Sequence, residues 1–121
     1  MKLMLVDDNP AMRRMLRAIA AEADDTVVEC DDGAEVLAAY LAHKFGPADC
    51  VLMDVRMRVV GGIQATLQLK AHCPEARVLI VTNFDDPAIR RAALQAGASA
   101  FITKDDLLAV REWLRPRAVQ P

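Results

Sequence analysis

Short runs of consecutive apolar residues alternate along the chain with stretches where apolar residues recur every three or four positions. Lys2–Val6 reads as a first strand and Thr26–Cys30 as a second, weaker one. Cys50–Met53, Val78–Val81 and Ala100–Thr103 supply three more. Uninterrupted apolar runs of this length suit strands buried on both faces of a parallel sheet. Between them, Asn9-Pro10 pairs a helix cap with a proline at the first helical position, and Met12, Met15, Leu16 and Ile19 follow at helical spacing. Asp31 or Asp32 can cap a second helix, with Val36, Leu37, Tyr40 and Leu41 as its inner face, before Gly46-Pro47 breaks the chain. Ile63, Leu67 and Leu69 mark a third helix that ends near Cys73-Pro74. Asp86-Pro87 repeats the cap-plus-proline start, and Gly97 is a good stop for the fourth helix. Asp105 or Asp106 starts a fifth, which Pro116 ends.

The pattern is five βα units in succession. Parallel strands need crossover connections, so the expected fold is α/β: a doubly wound five-stranded parallel sheet with helices on both faces. At 121 residues the chain fits one domain, expected over residues 1–116, with 117–121 as a C-terminal tail or linker stub. An apolar fraction of 54% excludes a disordered chain. Lys and Arg number 15 against 17 Asp and Glu, so no overall basic field exists to hold nucleic acid or a membrane. Cys30, Cys50 and Cys73 are odd in number and lack CxxC spacing, which argues against a disulfide framework or a zinc site. A reduced, cytoplasmic setting is the simplest reading, and no apolar run reaches the length of a signal peptide or a membrane span.

Open parallel sheets bind ligands beyond the C-terminal ends of their strands. Asp7 and Asp8 follow the first strand, Asp54 the third, Thr82 closes the fourth, and Lys104 follows the fifth. Each alone has an ordinary reading: a helix-cap carboxylate, a turn residue, a strand threonine, a solvated lysine. Asn9 already serves as the cap, however, which leaves Asp7 and Asp8 surplus. Three carboxylates at one edge repel unless a cation compensates. An oxygen-rich site with few protein ligands suits Mg²⁺. With Lys104, such an ion would also balance a phosphoryl group, so the layout suits phosphoryl transfer onto a carboxylate.

The segments Val6-Asp7-Asp8-Asn9-Pro10, Val51-Leu52-Met53-Asp54-Val55-Arg56-Met57, Val81-Thr82 and Phe101-Ile102-Thr103-Lys104 together resemble the receiver domain of two-component response regulators. The resemblance covers nearly the whole chain. Ala96-Gly97-Ala98-Ser99-Ala100-Phe101 and Lys104-Asp105 are closest to LuxR-type receivers. It implies a flavodoxin-like sheet and a signalling switch rather than a turnover enzyme. Asp54 would accept a phosphoryl group from a histidine kinase or phosphotransfer protein. Asp8 would bind Mg²⁺ directly, Asp7 partly through water, and the Arg56 backbone carbonyl would be a further ligand. Lys104 and Thr82 would each contact a phosphoryl oxygen. Phe101 would swing inward as Thr82 moves, reshaping the face of the last two helices for a downstream target or a homodimer mate. No membrane contact is expected, and no direct nucleic-acid contact by these residues.

Several positions depart from the family pattern. Arg58 stands where proline is usual, Gly61 where Asp or Asn precedes the loop glycine, and Val59 and Val60 make the loop apolar. Asn83 replaces a small residue and Asp105 a proline. The altered loop sustains a second reading, a pseudo-receiver serving as a constitutive interaction module. A flavin-binding flavodoxin would need a phosphate loop where Asp7-Asp8 stands, and an aspartate-nucleophile phosphatase a second Asp where Arg56 stands. Arg56 and Phe84 lie two residues beyond Asp54 and Thr82 and should flank the path of the hydrolytic water. Neither suits the orienting of that water, so slow self-dephosphorylation is expected.

Met12, Met15 and Met53 fill the core, and His43 and His72 lie at the surface. Trp113 packs partly against the sheet or a partner. Arg90, Arg91, Arg111 and Arg115 form a stripe across the last two helices, a solvated face or a docking surface.

Overall fold

A computed structural model of the chain describes residues 1–115. Its strands are β1 (Lys2–Val6), β2 (Thr26–Cys30), β3 (Cys50–Met53), β4 (Val78–Thr82) and β5 (Ala100–Thr103). Its helices are α1 (Pro10–Ala20), α2 (Val36–Ala42), α3 (Gly62–His72), α4 (Pro87–Gln95) and α5 (Leu108–Leu114), with a 3-10 turn at Gly33–Glu35 before α2. The strands form one parallel sheet in the order β2-β1-β3-β4-β5. The expected doubly wound, flavodoxin-like architecture is therefore present.

Strand side chains alternate between two cores. Leu3, Leu5, Leu52, Leu79, Val81 and Ile102 pack with Leu16 and Ala20 of α1 and Val110 and Leu114 of α5. Met4, Val6, Met53, Ile80 and Phe101 face the other way, against Val36 and Tyr40 of α2, Leu69 of α3 and Ala93 of α4. Because β1, β3 and β4 are buried on both faces, their sequences read as apolar runs rather than alternations.

Both predicted cap-plus-proline starts are formed: Asn9 accepts the amides of Ala11 and Met12, and Asp86 those of Ala88 and Ile89. Gly97 closes α4 at a φ of 110°, a left-handed conformation that glycine adopts without strain. Helical spacing located each inner face but not its width. Met15, Leu41 and Leu67 are about half exposed at the edges of their stripes, whereas Met53 lies wholly inside and Met12 partly so. Neither Asp105 nor Asp106 starts α5, which begins at Leu108 without a side-chain cap. The Asp105 carboxylate instead accepts the Thr103 hydroxyl, turning back toward β5. The predicted stop at Pro116 and the 116/117 domain boundary lie outside the described residues.

Of the four arginines expected to form a stripe, Arg91 and Arg111 are exposed, and the other two make ion pairs. Arg90 pairs with Asp85 beside it, and Arg115 reaches α1 to pair with Glu22 and Asp25. His43 and His72 are exposed and Trp113 is half-exposed. All three cysteines are free and buried. Burial pushes the Cys50 thiol up to about 12 and the Cys30 thiol up to about 11, so neither provides a thiolate nucleophile. Among the described residues no helix is long and apolar enough to cross a membrane.

Candidate functional site

The order of the strands makes β1 and β3 neighbours, with Val6 opposite Met53, so Asp7 and Asp54 leave the sheet side by side. The Asp54 amide continues the ladder by donating to the Val6 carbonyl at 3.0 Å. At the other edge, Thr82 lies opposite Thr103, and the Lys104 amide donates to the Thr82 carbonyl at 2.9 Å. Ladder hydrogen bonds therefore hold each reactive side chain at its strand end.

Lys104 joins the two halves. Its Nζ donates to Asp7 Oδ2 at 2.9 Å and to Asp54 Oδ2 at 3.1 Å, across 97 and 50 residues of sequence. The Asp7 side chain is 1% exposed, and those of Lys104 and Asp54 are 8% and 9% exposed. Burial alone pulls an ammonium toward neutrality, but hydrogen bonds and charge from Asp7 and Asp54 outweigh it and hold the Lys104 pKa above its ordinary value. The remaining oxygens are oriented by local amides: Asn9 donates to Asp7 Oδ1 at 2.9 Å and Val55 to Asp54 Oδ1 at 2.8 Å. Arg13 donates to the Asp7 backbone carbonyl while pairing with Glu29, which ties α1 to the site.

Asp8 is half-buried beside them. One carboxylate oxygen from each of Asp7, Asp8 and Asp54 lies within 4.8 Å of the other two. Three hard oxygen donors around one point, with a single ammonium to balance them, fit a divalent cation such as Mg²⁺, which takes oxygen ligands and retains several waters. The arrangement offers a carboxylate at the strand edge, two others to hold a cation, and a buried ammonium.

Thr82 is fully buried, and its hydroxyl accepts the Phe84 amide at 3.2 Å. Phe101 is already inside, 9% exposed, with the Arg90 guanidinium 4.8 Å from its ring centre. Arg56 and Phe84 meet directly: the guanidinium lies 3.9 Å from the Phe84 ring centre, bridging the loops after β3 and β4. Asp7, Asp8, Asp54, Thr82 and Lys104 thus lie at the C-terminal ends of their strands, whereas Phe101 sits within β5 in the core.

A family model of the response regulator receiver domain matches residues 3–111. The chain belongs to that family. Chemotaxis protein CheY of Halobacterium salinarum is 33% identical over 103 residues, covering 85% of this chain and 83% of that protein. The transcriptional regulatory protein NarL of Mycobacterium tuberculosis is 36% identical over 106 residues, 86% of this chain but 48% of NarL. The chain thus spans nearly all of one relative and about half of the other. The solved NarL signal receiver domain superposes with a TM-score of 0.78 at 33% identity, covering 96% of this chain and 97% of that one. A LuxR-family response regulator from Aurantimonas gives 0.77 at 35% identity, covering 88% and 76% respectively. The LuxR-type character of the sequence agrees with these matches.

One residue was underestimated from sequence. Asp32 was expected only as a helix cap, and it does accept the Ala34 amide at 2.9 Å. It also accepts the amides of Val59 and Val60 at 2.8 and 2.9 Å, within the loop after Asp54. Its carboxyl lies below the usual aspartate range because the Ala34 amide, joined by those of Val59, Val60 and Arg58, stabilises the charge despite burial. No spacing rule connects positions 32 and 59, so the only signal was the acidic residue before Gly33.

Proposed function

We propose that this receiver domain is a phosphorylation-controlled switch, with Asp54 as the acceptor. The observation that carries the reading is the Lys104 bridge to Asp7 and Asp54, with Asp8 beside it. Three strand ends bring the Asp54 carboxylate, the Asp7–Asp8 pair and the buried Lys104 ammonium together, which supports that reading.

In this reading an Asp54 carboxylate oxygen forms a bond to phosphorus as the phosphorus–nitrogen bond of a kinase or phosphotransfer histidine breaks, its electron pair returning to the imidazole. Asp7, Asp8, Asp54 and the Arg56 backbone carbonyl would hold Mg²⁺, which when bound neutralises charge on the carboxylates and on the transferring group. Lys104 turns from Asp54 Oδ2 toward a phosphoryl oxygen. Thr82 gives up the Phe84 amide and donates its hydroxyl to another. The Lys104 amide is bonded to the Thr82 carbonyl, so movement at β4 is felt at β5. Phe101, held under Arg90, links that shift to the outer face of α4 and α5. The phosphoryl contacts bias an equilibrium between two arrangements, and a downstream protein or a second copy reads the favoured one. In a regulator of NarL's kind the output would be transcriptional.

Intact mass after incubation with acetyl phosphate tests this. A single phosphoryl adduct is expected, lost in Asp54→Ala and in a metal-free sample. Absence of an adduct, together with no response to beryllofluoride, would replace the switch with the constitutive interaction module.

A further inference from the structure

The loop from Val55 to Gly61 carries the Arg56 carbonyl, the backbone ligand assigned above, and has few anchors of its own. Val59, Val60 and Gly61 have no polar side chains, and Gly61 caps α3 without a side-chain hydrogen bond. Its base is closed by the Gly62 amide, which donates to the Val55 carbonyl at 2.7 Å. The approach is tight: a Cβ on Gly62 would sit 2.0 Å from the Asp54 carbonyl oxygen. The tip is held from outside, by the turn between β2 and α2.

That turn grips the loop in both directions. Asp32 Oδ2 accepts the Val59 amide and Oδ1 the Val60 amide, while the Gly33 amide donates to the Val60 carbonyl at 3.1 Å. Only glycine fits at 33, because a Cβ there would lie 2.4 Å from that carbonyl. Asp32 is itself buried and pinned by the Ala34 amide. Hydrogen bonds from amides to an ionised carboxylate are stronger than neutral ones. The clamp is therefore a stiff connection between two loops that are 27 residues apart in sequence.

We infer that Asp32 is a positioning residue for the cation site: by binding the Val59 and Val60 amides it fixes the loop that presents the Arg56 carbonyl, a task that family-typical proline and acidic loop residues do not perform here. It contacts no reacting atom and acts through the loop. The inference rests on the receiver reading above. Partners that orient metal ligands typically change affinity 10–100-fold when removed.

The two carboxylate oxygens have separate tasks, which makes the test specific. Asp32→Asn with Oδ1 retained keeps the bonds to Ala34 and Val60, but its amide nitrogen cannot accept the Val59 N–H. Asp32→Ala removes all three. Calorimetric titration of the full chain with MgCl₂ should give a dissociation constant raised roughly threefold in Asp32→Asn and about tenfold in Asp32→Ala. Amide exchange, measured without metal, should speed up at Val59 in both variants and at Val60 in Asp32→Ala, while the sheet stays protected. A helix cap alone would change stability and leave Mg²⁺ affinity intact. Folded variants that bind Mg²⁺ within twofold of the parent would overturn the inference and leave the receiver reading standing. Should Asp32→Ala not fold, Asp32→Asn decides alone: lost Val59 protection with unchanged affinity refutes the clamp. A parent chain that binds no Mg²⁺ overturns both.

Discussion

Replacing Lys104 by methionine keeps its unbranched apolar stem, one atom shorter, and removes its charge. The ammonium lies 2.9 Å from Asp7 Oδ2 and 3.1 Å from Asp54 Oδ2, with all three side chains at least nine-tenths buried. At an effective dielectric of about 20, unit charges at those separations attract by roughly 5 kcal/mol per pair. Much of that attraction offsets the cost of desolvating the ammonium, and removing one partner from a buried pair typically costs about 3–5 kcal/mol. Lys104→Met should therefore lose about 3–5 kcal/mol in urea unfolding at pH 7 with EDTA. In Mg²⁺ the deficit should shrink, because the cation restores the missing positive charge and stabilises by its own binding. A loss below about 1 kcal/mol in EDTA would mean that water screens the pairs as it does at a surface. An equal loss with and without Mg²⁺ would mean that the ammonium and the cation do not share these carboxylates.

Phe84→Glu should remove the stack with Arg56 and place a carboxylate beside the hydrolytic path, so dephosphorylation of the purified phosphoprotein should accelerate several-fold; an unchanged decay rate would refute the stack as a barrier to water. The Tyr40 hydroxyl is buried without a hydrogen-bond partner among the described residues, while its ring packs 5.2 Å from that of Phe45. Tyr40→Phe keeps the ring contact and should leave the urea midpoint unchanged or raise stability by up to about 1 kcal/mol; a clear loss would reveal a partner for the hydroxyl. Burial opposes ionisation of Asp25, but the Glu22 amide, the chain's N-terminal ammonium and Arg115 more than compensate and lower its carboxyl below the ordinary 3.8. A lowered folded-state value gives stability that is present above the unfolded-state value and lost as pH falls through the folded one. Asp25→Asn should therefore flatten the fall in stability between about pH 5 and pH 3, and an unaltered acid limb would show that the cluster contributes little.

The sheet was legible because four of its strands are written without interruption. Cys50–Met53 and Val78–Thr82 contain no charged residue, so length and β-branching alone identify them, and the flanking Gly, Pro and Asp residues mark where they stop. Site residues were legible for a related reason. In a parallel sheet the residue after each strand falls at a known edge, so Asp7, Asp54 and Lys104 could be brought together without knowing any angle. Helix faces were less legible. Leu16 and Ala20 define the buried stripe of α1, but whether Met15 beside them is covered depends on what α5 leaves open, and no local pattern encodes that. The start of α5 was misplaced because Asp105 had two possible partners. The helix amides would have made it a cap, but the Thr103 hydroxyl lies closer in sequence and takes it.

The loop after Asp54 is held by a non-local device that no local pattern encodes. Arg58, Val59, Val60 and Gly61 each lack a feature that would stiffen the loop from within, and their absence was the main argument for a module without phosphoryl chemistry. The stiffening comes from the β2–α2 turn instead, through Asp32 and Gly33. An amide can be bound by any acceptor that the fold brings near, and here Asp32 takes those of Val59 and Val60. The loop at 58–61 and the Asp32 carboxylate are thus one arrangement. A variant with Arg58→Pro would keep the Val59 and Val60 amides, and its fixed φ would supply stiffness from within the loop. Combined with Asp32→Asn it should recover part of the Mg²⁺ affinity that Asp32→Asn alone loses. A double variant no better than Asp32→Asn would show that the clamp supplies something other than rigidity.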